Sequence, residues 1–176
     1  AAYPPLGLLT VAAMLPHEWP KRVVDMNVKA LKDEDIGWAD YVFISAMSIQ
    51  KESVEDVIRR CNRLNVKVVA GGPMFTTGHD QFKGVDHFVL GEAEAILPPF
   101  LKDLEMGNAR PTYTSSDWPD ITKSPIPQWE LVNMRHYALM SVQYSRGCPM
   151  TVSSVILSSS MGIDPGPKTR TSYWRS

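Results

Sequence analysis

Three short runs in this 176-residue chain carry residue types suited to holding a large ligand against the main chain. They are Ser45-Ala46-Met47-Ser48, Gly71-Gly72-Pro73 and Gly91-Glu92-Ala93-Glu94. Small residues let a flat or phosphate-bearing group approach the backbone, and serine adds a hydroxyl. The plainer alternative for Gly71-Gly72 is a tight turn. For Ser45 and Ser48 it is hydroxyls capping a helix that begins near Lys51. Glu92 and Glu94 could be paired catalytic carboxylates, but acids also suit the first turn of a helix, and that reading is preferred. Neither G-x-G-x-x-G nor G-x-x-x-x-G-K-[ST] occurs, so neither the dinucleotide fingerprint nor the P-loop is supported. Cys61 falls on an apolar helix face and reads as a small core residue. His17, His79, His87 and His136 read as surface or turn residues.

The three runs gain meaning from the elements that precede them. Tyr41-Val42-Phe43-Ile44 is an unbroken β-branched and aromatic run, the mark of a strand buried on both faces. Residues 66–70 and 85–90 read as further strands, halted by Gly71 and Gly91. Residues 22–25, with Val23-Val24 at their centre, read as a short strand ending in an acid. Between them, residues 48–64 carry apolar positions at Val54, Val57, Ile58, Cys61 and Leu64, a helical spacing. Residues 92–105 read as a helix with Gly107 past its end. Residues 5–15 read as a buried helix with proline in its first turn, and residues 33–35 as a polar turn that starts a short helix. Alternating strands and helices imply a parallel α/β sheet. In such sheets ligands bind beyond the carboxyl ends of the strands, where all three runs lie.

Composition narrows the class. Hydrophobic residues make up 44% and charged residues 21%, as in ordinary globular domains. With 18 basic and 19 acidic residues, nothing suggests a nucleic-acid partner. The most apolar stretch, residues 4–15, is well short of the roughly 20 residues a membrane helix needs and lacks the flanks of a signal peptide. Two cysteines cannot make a disulfide framework, and the chain is expected to be cytoplasmic. Residues from about 107 to 147 contain Pro111, Pro119, Pro125 and Pro127 and read as an extended linker with one short helix near residues 131–137. The stretch from Thr151, rich in Ser, Gly and Pro, shows no core-forming pattern.

Taken together, Pro4-Pro5-Leu6-Gly7-Leu8-Leu9, Val24-Asp25-Met26-Asn27, Phe43-Ile44-Ser45-Ala46-Met47-Ser48, Ala70-Gly71-Gly72-Pro73 and Gly91-Glu92-Ala93-Glu94 resemble the cobalamin-binding domain of cobalamin-dependent radical S-adenosylmethionine enzymes. The resemblance continues through Pro127-Gln128-Trp129-Glu130-Leu131 to Tyr144-Ser145-Arg146-Gly147-Cys148-Pro149. It implies a flavodoxin-like (Rossmann-like) sheet in which Ser45 and Gly71-Gly72 match the S-x-L and G-G elements lining the pocket for the dimethylbenzimidazole tail, with Met47 in place of the leucine. It implies cobalamin contacts from Asp25, Asn27, Ser45, Ala46, Met47, Ser48, Gly71, Gly72, Pro73, Gly91, Glu92, Ala93 and Glu94, with Glu92 and Glu94 near the corrin edge. The cobalt-ligating D-x-H-x-x-G motif is not matched by Asp25-x-Asn27, which follows the family's second strand and has no histidine. No lower axial ligand is assigned. The family's first strand is expected to precede Ala1, leaving an incomplete sheet, a loosely packed region over residues 14–31 and low stability.

In the family, C-x-x-x-C-x-x-C supplies three thiolates to a 4Fe-4S cluster that binds S-adenosylmethionine. Here Cys148 is the sole remaining ligand position, because Val152 and Val155 occupy the other two. Codons permitted for residues 150–157, read one base earlier, spell x-Asp-Cys-Glu-Phe-Cys-Asp-Ile and restore both cysteines, so a one-base frameshift after Pro149 is expected. The resulting layout is a cobalamin-binding α/β domain over residues 1–107, a linker over 108–147 toward a radical S-adenosylmethionine barrel, and a remnant of that barrel's start over 148–176. The expected function is cobalamin binding as a module of a methyltransferase-like parent, with no catalytic residue in this chain and no cluster or S-adenosylmethionine bound to it. The alternative is a non-enzymatic Rossmann-like domain for another nucleotide-like ligand, or a remnant with no ligand.

Overall fold

Runs of β-branched and aromatic side chains become strands when both of their faces can be covered. A computed structural model describes residues 1–117 and 119–143 of the chain. In it β1 (Tyr41–Ser45), β2 (Lys67–Gly71), β3 (His87–Leu90) and β4 (Thr112–Thr114) form one parallel sheet in the order β1-β2-β3-β4. The helices are α1 (Leu6–Met14), α2 (Asp33–Gly37), α3 (Lys51–Arg63), α4 (Pro73–Gly78) and α5 (Ala93–Glu105). The α/β class and the parallel sheet are as expected.

β2 shows how the core is divided. Successive side chains of a strand point to opposite faces. Val68 and Ala70 pack with Val54, Val57, Ile58 and Cys61 of α3 and Phe75 of α4. Val69 packs on the other face with Ile96, Leu97 and Phe100 of α5. The apolar stripe read at Val54, Val57, Ile58 and Cys61 is buried, and only Leu64, past the end of α3, is exposed. Burial pushes the Cys61 thiol up to about 11, which suits an inert core residue.

Four expectations need correction. Residues 22–25 form no strand: Val23 and Val24 lack a ladder partner among the described residues, and extended backbone is held as a strand only when a neighbour pairs with it. The segment read as an extended linker instead supplies β4 and three single 3₁₀ turns, at Ile121–Lys123, Trp129–Leu131 and Met134–His136, in place of one helix near residues 131–137. Ser45 and Ser48 do not cap α3, whose N-cap is Gln50 with no side-chain cap; the Gln50 side chain instead accepts from the Met47 N–H at 2.9 Å. Helix α1 is only partly buried, through Leu9 and Ala12. A short helix, α4, follows Gly72 with Pro73 in its first turn.

The partial burial of α1 has a cause. Among the described residues β1 pairs with β2 alone, and on its other side lies an open groove of about 1230 Å³ walled by α1 and residues 20–27. Trp19 stacks on Tyr41 at 6.5 Å between ring centroids, and the Arg22 guanidinium lies 4.0 Å over Trp38. Residues beyond 120 lean back on this half: the Gln128 N–H donates to Leu9 O at 3.1 Å and the Ala138 N–H to Ala1 O at 3.1 Å. Cys148 and the proposed frameshift after Pro149 lie outside the described residues.

Candidate functional site

The parallel register sets the site. Ser45 at the end of β1 is the register partner of Gly71 at the end of β2, and Gly71 in turn pairs with Val89 of β3. Both close approaches demand glycine. A Cβ at Gly71 would lie 2.8 Å from Val89 O, and one at Gly72 would lie 2.5 Å from Ser45 Oγ. Gly72 also has φ +86°, a left-handed conformation in which a side chain costs energy. The glycine pair therefore does more than end a strand. It lets two strand termini meet with only backbone and one exposed hydroxyl between them.

Gly91, at the end of β3, has φ +113°. Its N–H donates to Thr76 Oγ1 at 3.1 Å, and Thr76 Oγ1 donates to Gly72 O at 2.9 Å. The turns after β2 and β3 are thus joined through one hydroxyl. Thr76 is not legible in the sequence, because a threonine inside a short helix carries no signal of a bond fifteen residues away.

Asp25 and Asn27 approach from the far wall of the groove. The Asp25 Oδ1 accepts from the Asn27 N–H and from its side-chain amide, each at 2.9 Å, a local Asx turn. The Tyr137 hydroxyl donates to Asp25 Oδ2 at 3.1 Å. Asp25, Asn27, Ser45, Ala46, Met47 and Pro73 all line the one groove. Ser48, Gly71 and Gly72 adjoin this lining without being part of it; Gly91, Glu92, Ala93 and Glu94 do not line it either and sit one strand further along, where Glu94 accepts from Ser124 Oγ at 2.6 Å. Ser48 opens the 3₁₀ turn Ser48–Gln50 after β1. None of the four histidines lines the groove: His87 Nδ1 sits 2.8 Å from Arg110 O, and His79 packs edge-on against Phe88. Among the described residues, no three His, Cys, Asp or Glu side chains converge as a metal-binding group, and no helix is long and apolar enough to cross a membrane.

Residues 1–101 match the family model of the B12 binding domain. The chain belongs to the B12-binding domain family. An uncharacterized methyltransferase of Synechocystis sp. (strain ATCC 27184 / PCC 6803 / Kazusa) is 39% identical over 148 residues, which cover 83% of this chain and 28% of that protein. The hopanoid C-2 methylase of Rhodopseudomonas palustris (strain TIE-1) is 35% identical over 173 residues, covering 96% of this chain and 33% of the methylase. The chain thus spans about a third of the length of the curated relatives it matches. A solved structure, the N-terminal domain of a hypothetical protein of Thermotoga maritima, shares 24% identity at a TM-score of 0.41, over 53% of this chain and 78% of that one.

The geometry of this B12-binding domain fits a cofactor with a slender tail. Gly72 meets Ser45 so closely that an added Cβ would collide with the hydroxyl, which keeps the turn bare of side chains at the strand ends. Beside it the groove offers apolar walls from Val23, Val24 and Phe43, and polar groups from Asp25, Asn27 and Ser45. Such a lining, mostly apolar with a few placed polar groups, is the usual character of a cofactor cleft.

Proposed function

We propose that this chain binds cobalamin, with the nucleotide tail entering beside Ser45 and the Gly71-Gly72 turn. The single observation that carries the reading is the side-chain-free approach of the β2 turn to Ser45, held by the β1–β2 register. Ser45, Ala46, Met47, Ser48, Gly71, Gly72 and Pro73 would form the tail side. Asp25 and Asn27 would face the cofactor across the groove, and Gly91, Glu92, Ala93 and Glu94 would lie toward the corrin edge. When bound, cobalamin supplies methyl transfer or assists radical chemistry. The chain's own part is to orient the cofactor and exclude water, and no residue here is assigned a catalytic role.

The parent protein is proposed to be a radical S-adenosylmethionine enzyme of the methyltransferase type. Its supports are the matched relatives, a methyltransferase and a methylase of which the matched regions are 28% and 33%, and the Tyr144–Pro149 resemblance. In the proposed layout residues 1–107 hold cobalamin, 108–147 lead toward the barrel, and 148–176 stand at its start, read out of frame. The cluster and S-adenosylmethionine would then belong to the parent and not to this chain.

Titration of the chain with hydroxocobalamin, followed by visible absorbance, tests the reading. A saturable spectral change at one equivalent is the expected result. No change, with binding of a different nucleotide-like ligand, would replace it with the alternative of a non-enzymatic Rossmann-like binding domain.

A further inference from the structure

We infer that Thr76 is a positioning residue that holds the two glycine turns at the spacing the cofactor tail needs; this deepens the cobalamin reading and rests on it. The observation is a pair of hydrogen bonds through one oxygen. Thr76 Oγ1 donates to Gly72 O at 2.9 Å and accepts from the Gly91 N–H at 3.1 Å. The first bond, to the carbonyl four residues back, is common for threonine in helices. The second is not local: it spans fifteen residues and ties α4 to the turn after β3.

The two backbone groups it joins are unusual. Gly72 and Gly91 both sit at positive φ, at +86° and +113°, at the carboxyl ends of neighbouring strands. Both glycines lie past the last ladder pair of their strands, and the turn after β2 is tied to the end of β1 by the Met74 N–H, which donates to Ala46 O at 3.4 Å. The β2–β3 register runs only through Val69–His87, Ala70–Phe88 and Gly71–Val89, and it stops before either turn. Beyond that point Thr76 supplies the connection. Gly72 in turn sits against Ser45, where a Cβ would be 2.5 Å from the hydroxyl. Ser45, Gly72, Thr76 and Gly91 thus form a continuous row across the ends of β1, β2 and β3. A shift of the Gly91 turn reaches the Ser45–Gly72 cradle through a single oxygen.

Threonine meets the need because the hydroxyl must both donate and accept. Valine has the same shape and can do neither, while serine keeps the hydroxyl and loses only a methyl. Thr76→Val removes the side-chain partner of the Gly91 N–H and so breaks the link between the two turns, while the Thr76 N–H still donates to Gly72 O at 3.0 Å.

The test uses the full chain and two probes, cobalamin and cobinamide, the second lacking the nucleotide tail. Thr76→Val is expected to weaken cobalamin binding about fivefold, the net worth of one hydrogen bond at an exposed site, and to leave cobinamide within about twofold of the parent chain. Thr76→Ser is expected to restore cobalamin binding. Equal loss for both probes would show a general structural effect and overturn the inference, as would no loss for either. A parent chain that binds cobalamin while Thr76→Val changes nothing sinks the inference alone, whereas a parent chain that binds neither probe sinks the cobalamin reading and the inference with it. Amide exchange gives a measure that does not need the variant to fold: the Gly91 N–H of the parent chain is expected to be protected, and exchange at the rate of an open loop would overturn the role assigned to Thr76.

Discussion

The two sides of β1 are held in different ways. Toward β2, five register pairs run from Tyr41–Lys67 to Ser45–Gly71, and the strands beyond are buried under α3, α4 and α5. Toward α1, the same strand faces a groove, and residues 22–25 cross it without a ladder. The candidate site draws on both sides. Ser45, Gly72 and Gly91 are positioned by strand register and by Thr76. Asp25 and Asn27 are positioned by a two-residue turn and by the reach of one tyrosine from residue 137. One half of the site is built into the sheet, and the other depends on side chains that cover it from outside.

Substitutions can widen or erase that contrast. The largest effect is expected in the core on the paired side. Phe75 is fully buried, and Phe75→Ala should cost about 3–5 kcal/mol in denaturant unfolding. Val24→Ala, in the groove wall, should cost under about 1 kcal/mol, since a half-buried side chain has less area to lose. Equal costs would mean that both sides of β1 are packed alike.

Next comes glycine. Gly72→Ala meets both a positive φ and the Ser45 hydroxyl, and should destabilise by about 2 kcal/mol. Gly7→Ala, in α1 with nothing within 4 Å of the new methyl, should stabilise by about 0.5–1 kcal/mol. Thermal unfolding of the two variants reads the difference in sign.

Smaller effects come from charge. Burial works against ionisation of Asp86, but the Lys67 ammonium at 2.7 Å and the Val68 N–H at 2.8 Å outweigh it and hold the carboxyl below its ordinary range. A lowered folded pKa contributes stability above the ordinary value of about 4 and loses it as pH falls through the folded one. Asp86→Asn should therefore cost about 1–2 kcal/mol near neutral pH, and its deficit against the parent chain should shrink in acid.

Tyr137 works in the opposite direction. Burial, with the bond to the Asp25 carboxylate, pushes its hydroxyl up to about 12. A raised folded pKa gives stability that is complete below the ordinary value of about 10 and is lost as pH rises toward the folded one. Tyr137→Phe should cost about 1 kcal/mol at neutral pH and remove that alkaline loss. A variant as stable as the parent would mean that Asp25 needs no support from the later segment.

The sheet was legible where the pattern was long and doubly covered. Val68–Ala70 and the stripe of α3 announce themselves because each is buried on the faces its period implies, whereas Tyr41–Ile44, expected to be buried on both faces, is only half-buried because its outer side meets the groove. Val23-Val24 has the same composition as a strand, yet pairing is a property of neighbours and not of the residues themselves. Thr112–Thr114 is not legible in the sequence, because three residues with only Tyr113 buried carry no period. At the site, the glycines were legible from their place after strands. Thr76 was not, since its partner at Gly91 is fixed only once β2 and β3 lie side by side.

The central claim is that the Ser45–Gly72 cradle takes the nucleotide tail of cobalamin. The most direct measurement compares the affinity of the parent chain for cobalamin and for cobinamide under one buffer. A preference for cobalamin of at least about tenfold, the worth of about 1.4 kcal/mol of tail contacts, is the expected result. Equal affinity for the two corrinoids would contradict it, because a cradle that holds the tail cannot be indifferent to its removal.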